Sequence, residues 1–580
     1  MLQFFKYTFA TIVGLLLFCM LILIIGIGIA SGLSKKNAVE VNAKSVLLLD
    51  FKGEVLERAV DNPFAKLQGD DNNDIGLNEL LENIRKAKSD ANIAGIMLDL
   101  GSVNAGLATK EEIRSALKDF KLSGKFIYAK ADYYYNGNYY LATVSDKIFL
   151  TPTGEMLFNG TAAQPMFYKG LLDKIGVEIQ VVRHGKFKGA VEPFIKDHLS
   201  EENKLQIRKY KTAVYSNFIE NIAADRKISM EEAYAIADEM KVRSPEDAKK
   251  YRLVDELYYE DEIEKAVKEK LGLGDKDKIN YLSYDKYKDA PNSKKEGDYN
   301  NKIALIYAQG EIRDGEGDDK IIGGTRLAQT ISKARKDEKI KAIVLRINSP
   351  GGSALASDII WREVKLAAAV KPVIVSMGDI AASGGYYIAA PASYIFAEPS
   401  TITGSIGVFG LFPNMQKLYN EKLGLTVDTV KIGKYSDLGN ASRPFTNDEK
   451  NILQSFIERT YDNFISRVAE GRHKTKADID SIAQGRVWAA SDALTLGLID
   501  KIGSIDDAIK MAAAKANISG YRIIEMPKLK DPLTELLKSF GGDARIESKL
   551  KSELGDQYPL YEQVKAIQQN KGVRMELLWW

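Results

Sequence analysis

A serine followed by two glycines, Ser383-Gly384-Gly385, stands between two apolar runs, VIVSMGDIAA (373–382) and YYIAA (386–390). The pattern predicts a buried strand, a tight turn and a helix, with the Ser/Gly-rich loop TITGSIGVFG (401–410) following. A serine at such a turn presents its hydroxyl away from the backbone. The glycines behind it let a substrate approach the main chain closely. Ser383 is therefore read as a nucleophile. A lone hydroxyl is weak and needs a base, and the tetrahedral intermediate needs preorganised N–H donors.

No Ser-His-Asp set is visible. The histidines are three, at 184, 198 and 473, with no metal-binding spacing. His184, the one nearest a motif, reads more readily as structural. A lysine can act as base once it is neutral, and burial in an apolar pocket favours the neutral form by penalising the ammonium. Lys188 lies between Phe187 and Gly189-Ala190-Val191, suitably apolar flanks. For the oxyanion, RINSPGGSALASDII (346–360) reads as a strand, a Ser-Pro-Gly-Gly turn and a helix. Gly352 is the first-choice donor and Gly351 the second, with the Gly384 N–H as partner. Ser405, in TGSIG, is placed to orient the lysine; a loop serine bonding to backbone fits the sequence equally well.

The elements that must position these groups occur twice. SVLLLDFKGEV (45–55) matches KIALIYAQGEI (302–312), IAGIMLDL (93–100) matches IKAIVLRI (340–347), and KADYYYNGNYYLATVSDKIFLTP (130–152) matches MGDIAASGGYYIAAPASYIFAEP (377–399). HGKFKGAVEPF (184–194) matches IGKYSDLGNASRPF (432–445), and VRSPEDAKKYRLVDEL (242–257) matches RVWAASDALTLGLIDKI (486–502). The offset stays near 250 residues. Each copy alternates short apolar strands with amphipathic helices, which predicts an α/β architecture with crossover connections. Where the second copy has Ser383 the first has Asn136, and where the first has Lys188 the second has Ser436. Complementary losses of this kind point to one composite site shared by the copies.

The 580 residues exceed what one core accommodates. The expected division is a membrane anchor at 1–36, a first repeat at 43–273 supplying the lysine, a linker at 274–300, a second repeat at 301–520 supplying the serine, and a polar, helical tail at 521–580. Residues 7–33 carry no charge, long enough at about 1.5 Å per residue to span a hydrocarbon core. Lys6 on one side and Lys35 and Lys36 on the other leave orientation unspecified. With 81 basic and 79 acidic residues, nothing argues for nucleic acid. A single cysteine, Cys19, excludes an intramolecular disulfide and a thiolate metal cluster.

GKFKGAVEPF (185–194), RINSPGGSALASDII, GDIAASGGYYIA (378–389) and TITGSIGVFG, in that order and on a two-copy layout, resemble the signal peptide peptidases of the SppA type, serine/lysine proteases of the Clp/crotonase superfamily. The resemblance covers roughly 45–520 plus the anchor and fits the long tandem form of that family. It implies two Clp/crotonase-like domains, Ser383 as nucleophile, Lys188 as general base, Ser405 positioning the lysine, and an oxyanion glycine in the SPGG turn. It also implies a homotetramer anchored on the outer, periplasmic face of a bacterial cytoplasmic membrane. The implied substrates are cleaved signal peptides and other apolar peptide segments, with no metal or cofactor. Two rivals are an acyl-CoA enzyme using the same oxyanion hole and a degenerate, non-catalytic scaffold.

Overall fold

In the computed structural model, two parallel sheets carry the repeats strand for strand. Residues 2–34, 39–51, 53–59, 74–291, 300–529 and 573–576 are described; the side chains at 2, 19, 22–34, 573 and 576 are not. The first sheet is ordered Glu256–Leu257, Lys147–Leu157, Phe126–Tyr135, Ile93–Asp99, Ser45–Asp50, Tyr281–Ser283. In the second sheet Lys501–Ile502, Tyr394–Ala397, Val373–Ala382, Ile340–Ser349, Lys302–Gln309 and Arg522–Met526 follow the same spatial order. Near-continuous apolar runs form these strands because helices cover both faces. The strand Val373–Ala382 is buried along its whole length.

The helices after the matched motifs start where their caps dictate. Ser200 accepts from Asn203 N at the head of Glu201–Arg226, and Thr446 with Glu449 forms a capping box at the head of Asn447–Gly471. One apolar core draws on both repeats, joining Leu47, Ile96 and Tyr139 to Leu305, Val344 and Ile509.

A third sheet crosses between the copies. Its order is Ile322–Gly323, Ile312–Arg313, Gly351–Ser353, Val573–Glu576, Val408–Asn414, Glu178–His184. Glu178–His184 belongs to the first repeat and pairs antiparallel with Val408–Asn414 of the second, from Glu178 opposite Asn414 to His184 opposite Val408. This pairing brings the lysine loop to the serine.

Two stretches differ from expectation. Within 274–300 the structure forms a strand, Tyr281–Ser283, and a helical turn, Tyr284–Tyr287, with Tyr287 fully buried. The segment is an edge of the first sheet; its charged neighbours hide that in the sequence. Beyond 521 the expected helix is replaced by the edge strand Arg522–Met526. Residues 530–572 and 577–580, with the terminal tryptophans, lie outside the described residues. A helix, Leu2–Ser34, covers the uncharged stretch. Among the described residues no helix is long and apolar enough to cross a membrane.

Candidate active site

Ser383 caps the buried strand Val373–Ala382 and leads into the short helix Gly384–Ala389. Its backbone takes φ 54° and ψ −115°, a region that non-glycine residues rarely enter. Two main-chain bonds hold it there: Ser383 N donates to Gly404 O at 2.8 Å, and Tyr387 N donates to Ser383 O at 2.9 Å. The turn aims the hydroxyl out of the strand axis and towards the first repeat.

The amine of Lys188 meets it. Lys188 Nζ lies 2.8 Å from Ser383 Oγ, 3.0 Å from Ser405 Oγ and 3.1 Å from the Ser405 carbonyl oxygen, all within one chain. All three residues are buried, none more than 1% exposed. Ser405 also has positive φ, 51°, and its N donates to Arg486 O at 2.6 Å, which turns both of its oxygens to the lysine. Nζ donates to Ser383 Oγ and to both Ser405 oxygens; an amine that has lost a proton keeps the two bonds to Ser405 and can turn its lone pair to the Ser383 hydroxyl. The arrangement sets a hydroxyl and an amine within reach of a proton transfer, with a second serine beside the amine.

The lysine loop is held by contacts that sequence inspection missed. Phe187 N donates to Gln484 O at 3.0 Å. Gln206 Nε2 donates to Phe187 O at 2.8 Å, and its Oε1 accepts from Val487 N at 3.1 Å, tying the loop to the second repeat. Buried Glu192 accepts from Ser200 N at 3.0 Å and Asn203 Nδ2 at 3.3 Å. Gly485, with φ 82°, passes so close that a Cβ there would stand 2.6–2.7 Å from the backbone N, Cα and Cβ of Lys188. Gln206 sits beside Ile207 on the helix Glu201–Arg226; a glutamine on a buried helix face was the available signal.

Of the glycines expected to hold an oxyanion, Gly351 stands against Gly384. A Cβ on Gly351 would come within 2.6 Å of Gly384 N. A Cβ on Gly352, the sequence-based first choice, would meet Ile312 O at 2.0 Å. The strand Ile312–Arg313 claims Gly352 as a ladder partner, a tertiary pairing invisible in the motif. Gly351 N lies 3.2 Å from Ser349 Oγ, to which it donates.

The remaining candidates are placed elsewhere. His184 Nδ1 lies 2.6 Å from Glu458 Oε2, and its ring stacks on Tyr461. Asn136, the counterpart of Ser383, donates to Asn159 O at 2.8 Å. Ser436, the counterpart of Lys188, is exposed and donates to Gly433 O. Among the described residues no group of three His, Cys, Asp or Glu side chains is placed to hold a metal. A cavity of about 540 Å³ adjoins the lysine, lined by Lys188 and Ser405 and by apolar groups including Met166, Tyr168, Phe187 and Ile207.

The model of peptidase family S49 matches the chain twice, at residues 119–274 and 365–519. Protease 4 of Salmonella typhi is 36% identical over 566 residues, spanning 93% of this chain and 90% of the relative. The chloroplastic serine protease SPPA of Arabidopsis thaliana is 34% identical over 498 residues, 85% of this chain and 72% of the relative. A putative signal peptide peptidase SppA of Enterococcus faecium is 31% identical over 253 residues, 43% of this chain and 73% of the relative.

Proposed function

The chain belongs to peptidase family S49, in two repeats, and is a serine peptidase; from that premise we propose that Ser383 and Lys188 are its catalytic dyad. The observation that carries this reading is the buried 2.8 Å contact between their side chains, drawn from opposite copies of the repeat. Neutral Lys188 takes the Ser383 proton as Oγ attacks a peptide carbonyl carbon. The resulting oxyanion is held by a backbone N–H of the Ser-Pro-Gly-Gly turn, at Gly352 or Gly351, together with that of Gly384. Protonated Lys188 gives its proton to the departing amine, which leaves as the C–N bond breaks. Water, deprotonated by the same lysine, then cleaves the acyl ester and restores the serine. Ser405 holds the lysine Nζ at the reacting centre in both half-reactions.

The substrates we propose are cleaved signal peptides and other apolar peptide segments. The apolar groups Met166, Phe187 and Ile207 among the polar ones lining the adjoining cavity, and the name of the Enterococcus faecium relative, support this. Membrane anchoring through Leu2–Ser34 completes the proposal, with the peptidase repeats on the outer side of the cytoplasmic membrane. Its support is the uncharged run 7–33 and the exposure of Phe9, Leu15, Leu16, Leu17 and Phe18, apolar side chains left uncovered among the described residues. Clp/crotonase-like domains and a homotetramer belong to the same reading. Exposed apolar residues at Leu425, Val427, Val430 and Ile432 offer a surface for subunit contact.

Ser383→Ala and Lys188→Met are each expected to lower peptide hydrolysis by at least about 10³-fold while the melting midpoint is retained. Turnover that survives both changes would sink the dyad. Hydrolysis of acyl-CoA esters in place of apolar peptides would favour the thioester rival. Retention of the full chain in membranes washed with high salt tests the anchor, and light scattering in detergent tests the tetramer.

A further inference from the structure

The third sheet is continuous only because Val573–Glu576 lies in it. That strand runs antiparallel to Gly351–Ser353 on one side, with Gly352 opposite Met575 and Ser353 opposite Arg574. On the other side it runs antiparallel to Val408–Asn414, with Phe409 opposite Arg574 and Gly410 opposite Val573. Without it, two strands that flank the dyad would face each other across a gap one strand wide, each with ladder donors and acceptors unused. A slot of this kind takes an extended peptide by backbone pairing.

The seat of each residue in the slot carries chemical information. A Cβ on Gly351 would stand 2.1 Å from the Met575 carbonyl oxygen, and a Cβ on Gly384 would stand 3.0 Å from it. The Met575 carbonyl therefore rests against the two glycines that flank the nucleophile. Its side chain is fully buried within the apolar core of the second repeat. Arg574, the residue before it, is buried and donates from Nη2 to Glu311 Oε1, while the other oxygen of Glu311 accepts from Arg313 Nη2 at 2.7 Å and Nε at 2.9 Å. The Arg574 and Glu311 side chains are 8% and 17% exposed. A charge pair this well shielded loses much if one member is replaced by a neutral group.

We infer that Val573–Glu576 occupies the peptide slot as a substrate does, and that Glu311 makes the peptidase prefer a basic residue immediately before an unbranched apolar residue whose carbonyl is attacked. The inference rests on the Ser383–Lys188 reading and names the sequence class that site takes. Methionine models the attacked residue, and arginine models the one before it. The same strand competes with incoming peptides, because slot and segment belong to one chain.

Fluorogenic peptides built on Val-Arg-Met-Glu, with Arg, Leu or Glu in the second position, separate the outcomes on the full chain. Cleavage is expected after Met, with kcat/KM at least about tenfold higher for Arg than for Leu and lower again for Glu. Glu311→Gln is expected to lower kcat/KM for the Arg peptide and to bring the Arg-to-Leu ratio close to one. Arg574→Glu, which weakens the hold on the chain's own segment, is expected to lower KM for the Arg peptide. Equal rates for the three peptides, an Arg preference unchanged in Glu311→Gln, or a KM unchanged in Arg574→Glu would each overturn the inference. Failure to cleave any of the peptides, together with inert apolar controls, would instead count against the dyad.

Discussion

The two oxygens of Ser405 decide what the amine of Lys188 can do. They lie 3.0 and 3.1 Å from Nζ; in the proposed dyad they take two N–H bonds of the amine and leave its lone pair for Ser383. Ser405→Ala keeps the carbonyl contact and deletes the hydroxyl. A drop in kcat of about 10–10² is expected, with KM little changed and a displaced basic limb in the pH–rate profile, since the hydroxyl acts on the base and not on substrate. Steady-state kinetics between pH 6 and 10 check this. A purely structural role would change both constants without moving the profile. At this scale the meeting of Ser383 and Lys188 was legible, because the internal repeat sets Asn136 and Ser436 in their places; Ser405 had no such comparison, and a loop serine bonding to backbone fitted its sequence equally well. Gly351 and Gly352 could not be ordered. The Ile312–Arg313 strand pairs with Gly352, and no spacing rule contains that.

Elements bring the halves of the site together through backbone more than through side chains. The antiparallel pairing of Glu178–His184 with Val408–Asn414 sets the lysine loop against the second repeat, and Gly485 makes the final approach. At φ 82° alanine is strained, and its Cβ would stand 2.7 Å from the Lys188 Cα. Gly485→Ala is therefore expected to cost about 1–3 kcal/mol of stability and to depress kcat far more than a change of that size elsewhere on the surface. Paired measurement of melting midpoint and kcat tests it; a variant that keeps wild-type turnover would show that the lysine loop tolerates displacement. The central strands were legible because burial on both faces makes them apolar throughout, and the helices because amphipathic segments alternate with those strands in both copies. Tyr281–Ser283, Arg522–Met526 and Val573–Glu576 were not. They are edge or inserted strands of three to five residues. Their place is fixed by a partner far away in the chain, and their own composition is too polar and too short to announce it.

Across the whole molecule the repeats are locked by buried polar groups as well as by a shared core. Arg346 of the second repeat pairs with Glu57 at 2.8 Å and Glu112 at 2.6 Å of the first. Asp379 accepts from Thr109 N at 3.0 Å, and Glu111 accepts from Ser400 N at 3.1 Å and Ser400 Oγ at 2.6 Å. Arg346→Met would leave two buried carboxylates without their cation, and a loss of about 3–5 kcal/mol is expected. Glu111 adds a pH dependence of definite sign. Burial pushes its carboxyl up to about 7, against the Ser400 hydrogen bonds and the charge of Arg114 that pull it down. The folded chain thus holds a proton at Glu111 that the unfolded chain has released once the pH exceeds about 4.5. Stability from this group is fully present below that value and is lost as pH rises through 7. Glu111→Gln keeps a neutral side chain at every pH. The stability of the natural chain relative to this variant should therefore fall between pH 5 and 8, by on the order of 2–3 kcal/mol. Denaturation midpoints of the two proteins across that range measure it. A difference that stays constant, or grows with pH, would mean that Glu111 is already ionised in the folded interface and that Ser400 and Arg114 outweigh its burial.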